Sequence, residues 1–344
     1  MFRRIQELTI SEVARLAGVS KTTVSRVINN SGYVHEETRR RVEAVINQYK
    51  YSPAASAVSL SKKETTTIGV IVPEIHNVVY ADILRGITKE ADKNDLSVIL
   101  FDTRNDLKRE ARALQTLEQH WVRGMILGPS ADYSQSRQGQ EIYKRLTEMN
   151  IPTVIVDRDF DNMAWDAVVY ENYQSSYTAA VELVKAGNRR LGIITGDMNL
   201  KIARDRFRGF MDGARAAGVE VQQNDIIYGD FTRLRAYELS KLLLERGNYP
   251  EAIFTSNNLT SLGFVKAARE CGVEIGRDIA IIGNDFVHEF DYLGIPFSTV
   301  RRDNGAMGRQ AVQLLVDRLE HPKKSRSISM IPFEVDLQGT EKRA

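Results

Sequence analysis

Two groups of side chains in this 344-residue sequence are placed to do chemistry. The larger group follows short apolar runs. Asn77 and Tyr80 come after "IGVIVPEI", Asp102 after "SVILF", Ser130 after "GMILG", and Asp157 and Arg158 after "TVIV". Arg204 lies in "KIARDRFRGF" after "LGIITG", Asn257 follows "AIFT", Asp285 follows "AIIGN", and Arg302 follows "STV". Carboxylates offer paired acceptors and guanidinium groups forked donors, the set that vicinal hydroxyls of a small molecule require. Any one of these residues alone reads as a loop cap, but their repetition at run ends points to one shared site. The smaller group lies in and after "VARLAGVSKTTVSRVINN", residues 13–30. Arg26 can give two hydrogen bonds to a guanine edge, and Lys21 and Thr22 stand where a helix first meets bases. Ser25, Asn29 and Thr38 are short donors suited to phosphates, which position a protein on DNA without specifying sequence.

The elements that would carry these groups are legible from periodicity. In the N-terminal segment, "TISE" places Thr9 and Glu12 as a capping box, and Ile10, Val13, Ala14 and Ala17 form an apolar stripe. Gly18 ends that helix, and Ser20 caps a second one whose Val24, Val27 and Ile28 face inward. A third helix in "EETRRRVEAVINQYKY" buries Val42, Val45, Ile46 and Tyr49. Three short helices with a tight turn between the first two describe a helix-turn-helix head; a bundle whose polar face meets only water is the alternative. From residue 68 onward, apolar runs of four or five residues alternate with amphipathic stretches. That pattern suits doubly wound parallel sheets, whose ligands bind at the carboxyl ends of the strands.

Composition limits the function classes. Residues 1–63 hold eleven Lys/Arg against five Asp/Glu, a charge of +6, so with +2 overall the remainder carries −4. A basic head on a mildly acidic body points to an anionic partner for the head alone. No apolar run spans a membrane, "MFRRIQELTISEV" lacks the apolar core of a secretory signal, and Cys271 is the only cysteine, so a reduced, cytoplasmic protein is expected. The five histidines have no metal-ligand spacing, and neither a phosphate-binding Gly-rich loop with Lys-Ser/Thr nor G-x-S-x-G occurs. No metal, cofactor or enzymatic activity is expected.

The ordered match "TISEVARLAGVSKTTVSRVINN" followed by "GYVHEETRRRVEAVINQYKYSP" resembles the lactose-repressor (LacI/GalR) family of bacterial transcription regulators. The body resembles the same family, and beyond it the periplasmic sugar-binding proteins, through "VDR" at 156–158, "AR.R..GF" at 203–210, "TSNN" at 255–258, "GND" at 283–285 and "STVRRD" at 298–303. The resemblance implies a helix-turn-helix domain at 1–53, a hinge helix and linker at 54–66, and an effector-binding and dimerisation domain at 67–344. Two α/β subdomains joined by three crossovers are expected, one of about 67–165 plus 298–326, the other of about 166–297 plus 327–340. In the hinge, Ala57 and Leu60 match positions that pack and wedge into a minor groove. Asp157, Arg158, Arg204, Asn257 and Asp285 match sugar-contacting positions.

Three departures stand out. Val58 replaces a residue that is often polar or basic in relatives, Asn258 stands where relatives usually have Asp, and Arg302-Asp303 replaces a frequent Gln-Pro pair. Arg302 adds positive charge to the cleft, so a sugar acid or sugar phosphate is expected beside a neutral sugar as effector. The resemblance further implies a homodimeric repressor on a near-palindromic operator in double-stranded DNA, released or held by that effector. No tetramer is expected, since no heptad segment follows "IPFEVDLQGT". Two alternatives stay open: control by a protein co-repressor docked on the body, and a stand-alone sugar-binding protein.

Overall fold

Thr9 and Glu12 close the first turn of the first helix among the described residues. The Thr9 Oγ1 accepts from the Glu12 amide at 3.3 Å, and the Glu12 carboxylate accepts from the Thr9 amide at 2.7 Å. In the computed structural model, residues 8–51 and 65–344 are described, and they fall into two units divided after Thr65. The N-terminal unit contains α1 (Ile10–Ala17), α2 (Lys21–Ile28) and α3 (Glu36–Tyr49). Gly18 stands at φ 65°, a left-handed conformation that costs glycine little, and Ser20 accepts from the Thr23 amide at 3.1 Å to open α2. Val13, Ala14, Ala17, Val24, Val27 and Val42 form the core, with Ile28, Val45 and Ile46 at its edge.

Tyr49 departs from expectation, being 44% exposed, while Tyr51 packs on the core. Lys50 turns left-handed at φ 48°, and the Tyr51 amide reaches back to the Ile46 carbonyl at 3.0 Å, folding Tyr51 inward. Ala57 and Leu60, with nearly all of the expected hinge, lie outside the described residues.

The second unit begins with β1 (Thr67–Val72), α4 (Val78–Lys93), β2 (Ser97–Asp102), α5 (Leu107–Gln119), β3 (Gly124–Leu127), α6 (Arg137–Met149), β4 (Thr153–Asp157) and β5 (Asp166–Tyr170). It continues with α7 (Asn172–Lys185), β6 (Leu191–Thr195), α8 (Lys201–Ala216), β7 (Ile226–Tyr228), α9 (Arg233–Glu245), β8 (Ala252–Thr255), α10 (Asn258–Glu270), β9 (Ala280–Asn284), the short α11 (His288–Tyr292) and β10 (Thr299–Arg302). Then α12 (Asn304–Glu320), β11 (Ile328–Ile331) and β12 (Phe333–Asp336) follow.

Two six-stranded sheets result, ordered β11-β5-β4-β3-β1-β2 and β12-β10-β9-β8-β6-β7, and all pairings are parallel except β10 with β12. Helices cover both faces of each sheet, so most interior strands are apolar on both sides. In lobe one, α4 and α12 approach so closely that a Cβ on Gly308 would stand 2.1 Å from the Ile83 carbonyl oxygen.

The expected subdomain limits need correction. β5 (166–170) pairs with β4 in lobe one, β10 (299–302) pairs with β9 in lobe two, and β11 (328–331) returns to lobe one beside β5. The chain therefore crosses between lobes after Tyr170, after Arg302 and after Ile331. The polar stretch "DRDFDNMAWD" looks like a boundary in sequence, but it is a loop whose next strand re-enters the same sheet, where ladder hydrogen bonds fix its register.

Candidate functional site

The strand ends of both lobes open on one cavity of about 770 Å³. Of the ten residues expected there, Asn77, Tyr80, Ser130, Asp157, Arg158, Asn257, Asp285 and Arg302 line it. Asn77 caps α4 after β1, and Asn257 caps α10 after β8, so each lobe presents an amide at a helix start. The Tyr80 hydroxyl donates to Asp157 Oδ2 at 2.5 Å, and burial first, then that carboxylate, pushes its pKa well up. Arg158 gives Nη1 to Asn105 Oδ1 at 2.6 Å and to the Pro129 carbonyl at 3.4 Å. Ser130 shares a 2.6 Å hydroxyl contact with Thr103, and its amide donates to the buried Glu110 carboxylate at 2.7 Å.

Asp157 and Asp285 occupy corresponding places at the ends of β4 and β9, and both hold positive φ, 63° and 74°. A non-glycine residue held there stores of order 1–3 kcal/mol, which persists where the surroundings dictate the geometry. Asp285 is ion-paired with Arg302, whose side chain is 2% exposed and whose guanidinium lies 3.9 Å from the Tyr170 ring centroid. Burial, then the neighbouring Arg206 charge, brings the Arg302 pKa down to about 9.

Two expected residues do not reach the cavity. Asp102 turns toward its own loops, accepting from the Ile75 amide at 3.3 Å and pairing with Arg104 at 3.3 Å. Arg204 donates to Asp132 Oδ2 at 2.7 Å and to the Met198 and Asn199 carbonyls, tying lobe two to lobe one. Arg206 lines the cavity in its place. The signal was present in the helix period: the buried stripe of α8 runs Ile202, Ala203, Arg206, Gly209, Phe210, which includes Arg206 and omits Arg204. Lys201 with Asp159 at 2.9 Å and Asn258 with Asn77 at 3.3 Å add further ties between the lobes.

In the N-terminal unit, Lys21, Thr22 and Arg26 are exposed along α2, opposite the buried Val24 and Val27. Ser25 and Asn29 are half-buried and bonded to each other, Nδ2 to Oγ at 3.2 Å, and Thr38 is half-buried on α3. The exposed trio thus leaves a long guanidinium, an ammonium and a hydroxyl on one short helix.

Comparison with known proteins gives two family matches: residues 9–54 match the bacterial regulatory proteins of the lacI family, and residues 65–336 match the periplasmic binding proteins and sugar binding domain of LacI family. The chain is 31% identical over 334 residues to the HTH-type transcriptional repressor PurR of Pasteurella multocida, covering 97% of this chain and 98% of that protein. It is 30% identical to the ribose operon repressor of Haemophilus influenzae, covering 92% and 93%. Among solved structures, it is similar to the transcriptional regulator CelR in complex with cellobiose, at 26% identity and TM-score 0.71, covering 97% and 99%.

Proposed function

The chain belongs to the LacI family of bacterial regulatory proteins, DNA-binding repressors under small-molecule control, and we propose that it acts as a homodimer in the cytoplasm on a near-palindromic operator. Arg26, Lys21 and Thr22 read bases; Ser25, Asn29 and Thr38 hold phosphates; Ala57 and Leu60 serve the hinge. A polyhydroxylated small molecule in the interlobe cavity sets operator affinity.

The observation that carries this reading is the position of the cavity at the crossovers. Arg302 ends the strand before one crossing and contacts Tyr170, the last residue before another. The Tyr170 hydroxyl in turn donates to Asn304 at 2.6 Å, just past the crossing that follows Arg302. A ligand bound there touches one of the segments about which the lobes would move at Arg302, and bears on a second through the Arg302–Tyr170 contact. It thereby couples to the hinge with a free energy of ~1–3 kcal/mol, acting reciprocally on DNA and ligand. The ribose and cellobiose in the relatives' names are polyhydroxylated, which fits the acceptors and forked donors of this cavity. The two carboxylates at its floor are held by Tyr80 and by Arg302, an arrangement suited to fixed hydroxyl acceptors rather than to proton shuttles. This favours a regulator over an enzyme.

The test is operator binding by fluorescence anisotropy, with and without candidate sugars and sugar acids. A ligand that stabilises the chain against heat should shift the operator Kd about fivefold or more. A saturating ligand that leaves the operator Kd unchanged would sink the regulatory reading.

A further inference from the structure

The cavity floor is not electrically neutral. Three guanidinium groups line it, Arg158, Arg206 and Arg302, against three buried carboxylates, Asp132, Asp157 and Asp285, of which Asp132 is already answered by Arg204 from outside the lining. Asp157 accepts from Tyr80 and Asp285 pairs with Arg302. Arg206, 3% exposed, donates Nε to Asn172 Oδ1 at 2.8 Å and Nη1 to the Ser256 carbonyl at 2.6 Å, both neutral acceptors. Arg302 Nη1 turns to the same Asn172 Oδ1 at 3.4 Å, so two guanidinium groups converge on one uncharged oxygen. The Nε atoms of Arg158 and Arg302 and the Oδ1 of Asn258 are buried without a partner among the described residues. A buried charge left uncompensated costs several kcal/mol, and a counter-charge from a ligand relieves it.

We propose that the effector is a small polyhydroxylated monocarboxylate. Its carboxylate lies against Arg206 and Arg302, and its hydroxyls reach Asp157, Arg158 and Asn257. The inference rests on the cavity being the effector site. One excess positive charge at the floor matches one negative charge, whereas a phosphate monoester carries about −1.5 to −2. The rest of the lining opposes a dianion as well, since Glu74, Asp106, Asp197 and Asp230 bring negative charge to the same cavity. Arg302 thus sets specificity: a side chain without charge there would leave Asp285 unpaired and remove half of the carboxylate clamp. Burial first, and then the Arg206 charge beside it, lowers the Arg302 pKa, in keeping with two guanidinium groups crowded at one place.

The test is titration calorimetry on the full chain with glucuronate, galacturonate and gluconate. Glucuronamide, glucose and glucose 6-phosphate are run beside them, and operator anisotropy is measured on the same samples. At least one carboxylate should bind roughly tenfold or more tighter than its neutral counterpart, as expected of a charge-assisted forked pair. Arg302→Gln should bring that preference to near parity, and Arg302→Lys should keep part of it. If Arg302→Gln does not fold, the acid-against-amide comparison on the unaltered chain decides alone. Equal binding of amide and acid, preference for the phosphate, or silence from all three carboxylates overturns the proposal. A neutral sugar that binds and shifts operator affinity rejects the carboxylate while leaving the regulatory reading intact. A carboxylate that binds without any operator effect supports the anion site and rejects the regulation.

Discussion

Arg204 on α8 donates its Nη2 to Asp132 Oδ2 at 2.7 Å, bridging lobe two to lobe one. The arginine is about a third exposed while the Asp132 side chain is fully buried, so the pair is asymmetric: removing the arginine leaves a buried carboxylate behind. Arg204→Ala should cost roughly 1 kcal/mol, the lower end for a charged hydrogen bond after discounting for solvent. A double-mutant cycle with Asp132→Asn in urea unfolding measures the coupling. A coupling energy of zero would show that the two lobes do not depend on this contact.

The same carboxylate gives a pH dependence. Burial alone would push the Asp132 pKa up, but hydrogen bonds from Ser134 and Arg204 outweigh it and hold the value below the ordinary one. A lowered folded-state pKa contributes stability that is fully present above the unfolded value, about 3.9, and is lost as pH falls through the lower folded value. The stability gap between the unaltered chain and Asp132→Asn should therefore be constant from neutral pH to about pH 5 and narrow below about pH 4. Unfolding free energies measured across that range check the sign, and parallel curves to the acid limit would contradict it.

Arg26 stands exposed on α2 while Val24 and Val27 anchor the opposite face. Arg26→Ala should cost roughly 1–3 kcal/mol of discrimination between operator and random DNA, with little change in thermal stability. Equal losses on both DNAs would assign the side chain to phosphate contact instead.

The contact of α4 with α12 predicts a large effect from a single methyl group. In Gly308→Ala the new Cβ would fall 2.1 Å from the Ile83 carbonyl, a backbone atom that cannot swing aside. Overpacking of this kind costs typically ~1–3 kcal/mol and occasionally more. Thermal unfolding should show a clear drop in Tm, and an unchanged Tm would mean that the two helices can separate freely.

What the sequence determined by itself is local. The Thr9–Glu12 box, the Gly18 turn, the Ser20 cap and the apolar runs of the strands all follow from short-range sterics and hydrogen bonding, which act over a few residues and leave a readable period. Eight of the ten expected cavity residues line it for the same reason: strand ends in doubly wound sheets share one edge. Tertiary structure decided the rest. β5, β10 and β11 changed lobes because strand partners are chosen by long-range ladder pairing, which no local period encodes. Asp102 was claimed by the Ile75 amide and Arg204 by Asp132, since a carboxylate or guanidinium takes the nearest partner that packing supplies. Arg206 entered the cavity because the rotation of α8 against its sheet aimed it there. The charge excess at the floor likewise appears only in three dimensions. It depends on which carboxylate meets which guanidinium, and residues far apart in the chain, Asn172 and Arg302 among them, settle that by meeting at the crossovers.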